Sequence, residues 1–296
     1  MTTATGAMRS VPPEPGAAKP DPILVVDDLR RRFGGLVAVD VDHVEIQRGS
    51  ITALIGPNGA GKTTFFNLVT GFDSPDAGTW TFDGQPVQKL PAHRVARRGM
   101  VRTFQLTKAL ARMSVLDNMM LGATGQRGEN FFRALIPSFW RAQEAEVEAR
   151  AESLLERFQL IRLRDEYAGA LSGGQRKLLE MARALMCEPT MVMLDEPMAG
   201  VNPALGETLL AHIQGLRDLG MTVLFVEHDM DAVHEISDWV VVMGEGRIIA
   251  EGMAEAIGNN PVVIDAYLGS HHDAPATIEE EQRRLDEVAE ATGTEH

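Results

Sequence analysis

Ile51-Thr52-Ala53-Leu54-Ile55-Gly56-Pro57-Asn58-Gly59-Ala60-Gly61-Lys62-Thr63-Thr64 is the stretch on which the fold turns. Its first five residues are a short apolar run of the kind carried by a fully buried strand. The next nine contain the pattern G-x-x-x-x-G-K-[ST], and residues 62–70 read as a helix. A phosphate chain needs several backbone N–H groups aimed at it, and glycines let the main chain curl that closely. The helix that follows presents its positive N-terminal end to the anion. The loop Gly56, Pro57, Asn58, Gly59, Ala60 and Gly61 is therefore a phosphate cradle. Lys62 reaches the β- and γ-phosphates of a nucleotide, Thr63 is placed to hold Mg²⁺, and Thr64 completes the motif. An ordinary glycine turn would need neither the buried strand before it nor the helix after it.

Two later stretches supply what the cradle lacks. Met191-Val192-Met193-Leu194-Asp195-Glu196-Pro197 is a buried strand that ends on two adjacent acids. One carboxylate would suffice for a metal, and neighbouring residues of a strand face opposite ways, so two acids suggest two tasks. Asp195 would hold Mg²⁺ through water, and Glu196 would orient or deprotonate an attacking water. Leu171-Ser172-Gly173-Gly174-Gln175 opens another helix. Ser172, the Gly173 and Gly174 amides and Gln175 form a second phosphate-binding surface at a positive helix end. One cleft rarely needs two such helix ends from the same chain, so two chains arranged head to tail are the economical solution.

The rest of the chain bounds these readings. The formal charge of −14 over 296 residues argues against nucleic acid as a partner. Residues 271–296 hold eight acids against two arginines, a net −6, and read as a solvated acidic tail. Cys187 is the lone cysteine and cannot form an internal disulfide, which fits a reducing compartment. No apolar run approaches the ~20 residues that span a bilayer. Residues 1–21 are rich in Pro, Ala and Gly and read as a disordered leader. Residues 23–28 and 37–46 read as strands of an antiparallel layer, and 79–82 as a further strand. Residues 106–169 change texture to Ala, Glu, Arg and Leu and read as an inserted helical subdomain. Buried strands at 190–194 and 222–226 alternate with helices, which predicts a parallel α/β core. Residues 239–243 and 247–250 form a hairpin around Gly244-Glu245-Gly246.

In this order the motifs resemble those of the ABC transporter ATPases over residues 22–269. The resemblance implies an α/β P-loop NTPase core with an antiparallel β layer and an inserted helical subdomain. It implies ATP and Mg²⁺ as ligands and a head-to-tail dimer with a second ATPase subunit, either a paralogue or a second copy. It also implies two membrane permease subunits, an extracytoplasmic solute-binding protein, and a place on the cytoplasmic face of the inner membrane. Within Val101-Arg102-Thr103-Phe104-Gln105, Gln105 resembles the glutamine that contacts Mg²⁺ and water and links the core to the helical subdomain. His228, in Val226-Glu227-His228-Asp229-Met230, resembles the switch histidine at the γ-phosphate. Phe33 resembles the aromatic residue that stacks on adenine.

Within the family the chain is most similar to the ATPase subunits of branched-chain amino-acid importers. The supporting stretches are Arg102-Thr103-Phe104-Gln105, Leu179-Glu180-Met181-Ala182-Arg183, Ala199-Gly200-Val201-Asn202-Pro203 and the terminal run from Asn259 to Gly269. Asn202 stands where the family usually has aspartate. The apolar residues within 131–140 either pack the helical subdomain or line a groove for a permease. Urea or amide import stays open, because the solute never touches this chain. A soluble regulatory or repair ABC ATPase usually carries two cassettes or a long coiled coil, and neither is present. A P-loop kinase or GTPase needs an acceptor site or a guanine-reading motif, and the sequence has neither.

Overall fold

The structure is a computed structural model that describes residues 6, 8–103, 110–123 and 141–272. Among these, β1 (Pro22–Phe33), β2 (Leu36–Gln47), β3 (Ile51–Ile55), β4 (Ala77–Phe82), β5 (Gln85–Pro86), β6 (Met100–Arg102), β7 (Met191–Asp195), β8 (Thr222–Val226), β9 (Trp239–Gly244) and β10 (Arg247–Gly252) build two sheets. The first is antiparallel, in the order β2-β1-β4-β5. The second runs β10-β9-β3-β8-β7-β6 and is parallel from β9 to β6, with β10 folding back as a hairpin on β9.

The parallel strands are apolar almost throughout because both faces are covered. Every residue of β3, β7 and β8 is buried. Alternation sorts their side chains between two cores. Ile51, Ala53, Ile55, Val192, Leu194, Val223 and Phe225 face one cluster, which takes in Leu178, Leu179, Ala182 and Leu185 of the helix Gly173–Leu185. Leu54, Met191, Met193, Leu224 and Val226 face the other, with Phe65, Phe66 and Leu68 of the helix Lys62–Val69 and the inner face of the antiparallel sheet. The β9–β10 hairpin joins the sheets, since the Asp40 amide donates to the Gly246 carbonyl at 2.8 Å and Arg247 Nε to Asp40 Oδ2 at 2.8 Å.

β1 is longer than its alternation suggests. Leu24 and Val26 are buried, and so is Leu29, which is out of phase with them. Asp28 takes a left-handed φ of 51°, and the pairing of β1 with β4 slips between Asp27 and Arg30. A bulge of this kind lets a strand continue while its face changes. The described part of residues 110–170 contains the helices Val115–Met120 and Arg141–Arg157, two short 3₁₀ turns and one isolated bridge between Ser114 and Tyr167.

Residues 8–21 correct the expectation of a disordered leader. Met8, Val11 and Ala17 are buried in the core beneath the antiparallel sheet. The Lys19 amide donates to Glu45 Oε2 at 2.5 Å, and Lys19 Nζ lies 2.8 Å from Glu251 Oε2. The same carboxylate accepts from the Gly16 amide at 2.9 Å and from Trp239 Nε1 at 3.1 Å. The Pro, Ala and Gly content implies a segment too poor in apolar area to order itself. The partners that order it come from β2, β9 and β10.

Candidate functional site

The parallel sheet places the 56–64 loop, Asp195 with Glu196, and His228 at the carboxyl ends of its strands, where open α/β sheets bind ligands. β3 runs into Gly56, β6 into Thr103, β7 into Glu196 and β8 into Glu227 and His228. β3 lies between β9 and β8, so the loop after it leaves from the middle of the sheet. Gly56 has φ 148° and Gly61 φ 98°. A Cβ at Gly56 would run into the Met243 carbonyl oxygen, and one at Gly61 into the Ala38 carbonyl oxygen. Only glycine allows both close approaches.

The cleft in front of this loop has a volume of about 320 Å³, within the range of small-molecule sites. It is lined by Asn58 through Thr64, by Phe33, Leu36, Val37 and Ala38, and by Glu196 and His228. The arrangement is polar at one end and apolar at the other. Phe33 is 49% exposed, with the Arg31 guanidinium 4.6 Å from its ring centroid, so it is not the core aromatic that its place at a strand end suggests. Thr63 is exposed at the opposite, loop end.

Lys62 is buried, and its Nζ donates to the carbonyl oxygens of Gly56 at 2.6 Å and Pro57 at 2.9 Å. Burial lowers its pKa, while the Glu196 and Asp195 carboxylates pull the other way. Glu196 has a left-handed φ of 46°, a strained setting for a residue with a side chain. The Glu196 amide donates to the Val226 carbonyl at 3.0 Å. Glu196 Oε1 lies 3.0 Å from His228 Nε2, so β7 and β8 deliver a carboxylate and an imidazole to one point.

Asp195 is buried and meets Arg102 Nη2 at 2.5 Å through Oδ2, while Arg102 Nη1 donates to Asn67 Oδ1 at 2.5 Å. The sequence gives Arg102 no site role, because its partner Asp195 lies 93 positions away and only the pairing of β6 with β7 brings them together. Among the described residues no group of three or more His, Cys, Asp or Glu side chains could hold a metal ion. The oxygens of Thr63 and Asp195 are hard donors of the kind Mg²⁺ takes, and that ion commonly uses one or two protein ligands plus phosphate. Gln105 lies outside the described residues, as do residues 131–140 and the tail from 273 onward.

The stretch 171–175 is built as expected at its helix end. Ser172 is the N-cap, its Oγ accepting from the Gln175 amide at 3.2 Å while Gln175 Oε1 accepts from the Ser172 amide at 2.9 Å. The two glycines differ in setting. Gly173 faces open space, whereas a side chain at Gly174 would strike Leu205. None of residues 171–175 is among the described residues lining the cleft of the 56–64 loop. Asn202 caps the helix Pro203–Asp218, accepting from the Leu205 amide at 3.0 Å. The short polar side chain therefore serves as a cap without a charge.

A glycine loop between a buried strand and a helix, an acid pair ending a second buried strand of the same sheet, and a separate Ser-Gly-Gly helix cap are the pattern of an ATP-binding cassette. The family model described as "ABC transporter" matches residues 39–199, and the chain belongs to that family. It is an ATPase of transporter type, and transporters of this family include membrane permease subunits. A second family model, "Branched-chain amino acid ATP-binding cassette transporter", matches residues 247–273. The chain is 43% identical over 251 residues to the high-affinity branched-chain amino acid transport ATP-binding protein LivG of Escherichia coli K12, covering 84% of this chain and 98% of that protein. It is 42% identical over 248 residues to the probable LivG of Archaeoglobus fulgidus, covering 84% and 96%. A crystal structure of an ABC transporter ATP-binding cassette in its ADP conformation superposes with a TM-score of 0.74 at 37% identity, covering 84% of this chain and 99% of that one. A nucleotide-free cassette superposes at 0.73 with 36% identity, covering 83% and 98%. Among the described residues no helix is long and apolar enough to cross a membrane.

Proposed function

We propose that this chain powers an importer for branched-chain or other small amino acids from the cytoplasmic face of the inner membrane. The cassette is assigned to about residues 22–269, with its helical subdomain at about 106–169. It works as a head-to-tail dimer with a second ATPase subunit, in contact with two permease subunits that receive solute from an extracytoplasmic binding protein. The observation that carries the dimer is the separation of two phosphate-binding surfaces. The 56–64 loop lines a cleft to which residues 171–175 contribute nothing, so a triphosphate there is enclosed on one side only. A partner's copy of Ser172, Gly173, Gly174 and Gln175 would close the other side. The amino-acid assignment is supported by the match over residues 247–273 and by the LivG relatives.

In this reading the N–H groups of Asn58, Gly59 and Gly61 and the Lys62 ammonium hold the phosphates, and Phe33 with Leu36 and Val37 takes the base. The residues that would hold Mg²⁺ are Thr63, Asp195 and Gln105, and the ion would neutralise charge on the phosphate oxygens. Glu196 orients the attacking water and accepts its proton. Its hydrogen bond to His228 fixes the carboxylate at the mouth of the cleft. Closure around ATP shifts the helical subdomains and, through them, the permeases; hydrolysis removes the bridge and reopens the pair.

Glu196→Gln tests this reading. The amide cannot accept the proton, so turnover falls by about 10²–10⁴-fold while ATP is still bound. The ATP-loaded variant should run at twice the monomer mass on a sizing column. A variant that stays monomeric at saturating ATP, both alone and when mixed with a paralogous ATPase subunit, would rule out the shared site.

A further inference from the structure

Residues 197–199 follow directly on Glu196, and two side chains outside the cleft, the half-buried Lys177 and the buried Glu227, hold them. Lys177 Nζ, from the helix that opens at 171–175, donates to the Pro197 carbonyl at 2.8 Å and the Ala199 carbonyl at 2.5 Å. Glu227 Oε1 accepts from the Met198 amide at 2.7 Å. Its Oε2 accepts from the His228 amide at 3.1 Å, and the Asp229 amide also points to this carboxylate. Glu227 is only 4% exposed. An acid in that position is costly unless its oxygens are occupied, and here they are occupied by backbone donors from two loops. Burial raises the Glu227 pKa and lowers that of Lys177, for which the Glu227 charge acts in opposition.

The consequence is one continuous linkage. It starts at the helix behind Ser172, passes through Lys177 to residues 197–199, crosses Glu227 to the backbone of His228, and returns through the imidazole to Glu196. The strained φ of Glu196 needs fixed neighbours on both sides. We propose that Glu227, assisted by Lys177, is a positioning residue for ATP hydrolysis: it locks residues 197–199 to the His228 loop so that Glu196 and His228 stay in register. This rests on the hydrolysis reading given above. Glu227 does not line the cleft, so its contribution is to the chemical step and not to nucleotide binding.

The test compares the native full chain with Glu227→Ala, Glu227→Gln, Lys177→Met and His228→Ala, with turnover expressed per mole of bound nucleotide so that misfolded protein does not count. Glu227→Ala should lower kcat by about 10- to 100-fold, the scale of a misplaced catalytic group. KM should stay within about twofold, as for an interaction that acts only in the transition state. Glu227→Gln keeps one acceptor oxygen and should fall between the native chain and the alanine variant. Lys177→Met should lower kcat in the same direction with KM unchanged. In a His228→Ala background, Glu227→Ala should cost little more, because its effect passes through that loop. Unchanged turnover in Glu227→Ala beside an active native chain would overturn the positioning role alone, as would a full additional loss on top of His228→Ala. A native chain that binds ATP without hydrolysing it would sink both readings.

Discussion

Two lysines in this molecule are equally buried, each 6% exposed, and their settings could hardly differ more. Lys19 is closed off by a full set of partners: the Glu251 carboxylate at 2.8 Å, the Ala17 carbonyl at 2.6 Å and the Trp239 ring with its centroid at 4.7 Å. Among the described residues, Lys62 has only carbonyl oxygens of its own loop as hydrogen-bond partners, and the nearby carboxylates of Glu196 and Asp195 act on it at longer range. A buried cation paired with a carboxylate is part of the architecture. A buried cation resting on carbonyl dipoles, in a glycine loop that lines a cleft, is kept for an anion that comes and goes. The balance of charge around each lysine therefore separates structure from function where burial alone does not.

Lys62→Ala gives the largest effect. It removes charge-assisted hydrogen bonds to phosphate worth about 1.5–3 kcal/mol each, so ATP affinity should fall by about two orders of magnitude or more. The fold should hold, because the lost partners are two uncharged carbonyls, and removing the Lys62 side chain that lines the cleft opens them to water. Calorimetric titration with ATP reads the first outcome and thermal unfolding without nucleotide the second. Undiminished affinity would remove Lys62 from the phosphate site, and a collapse of the apo fold would make it a structural lysine like Lys19.

The sequence announces one of these lysines and conceals the other for a physical reason. Lys62 belongs to a local pattern, since strand, glycine loop and helix lie within twenty residues and each carries its own signal. The same holds for β7 with Asp195 and Glu196, and for the Ser172 cap with Gln175 three residues on. Lys19 becomes meaningful only with Glu251, 232 positions later. Arg102 and Asp195 are 93 positions apart, and Glu227 reaches back 29 positions to Met198. Glu227 was also hidden by its neighbour, because an acid beside His228 at a strand end reads as a solvated residue until the fold puts the 197–199 backbone over it. Phe33 is the intermediate case: its type and place suggest core, and only the fold opens its ring to the cleft.

Lys19→Met should reverse the pattern seen for Lys62. The Glu251 carboxylate would be left buried with two backbone or indole N–H partners and no cation. Breaking one side of a buried ion pair costs about 3–5 kcal/mol. Urea unfolding should show a lowered midpoint, while ATP affinity of the folded fraction stays as in the native chain. Loss of ATP binding in a still-folded Lys19→Met protein would mean that the N-terminal segment reaches the cleft through β9 and β10, and the separation between the two lysines would fail.

The double replacement Lys19→Met with Glu251→Gln has the smallest expected effect and makes the finest distinction. It removes both charges together, so no uncompensated ion remains. Gln keeps one oxygen for either the Gly16 amide or Trp239 Nε1–H and leaves the other donor unpaired, at about 1 kcal/mol. Stability should therefore return to within about 1–2 kcal/mol of the native chain, well above Lys19→Met alone. That recovery would show that the pair is a closed arrangement replaceable by neutral groups of similar size. No neutral pair could do the same for Lys62, whose counter-charge arrives with the nucleotide. If the double variant is as unstable as the single one, the attraction between the two charges itself holds residues 8–21 in place, and Lys19 then shares with Lys62 a dependence on unreplaceable charge.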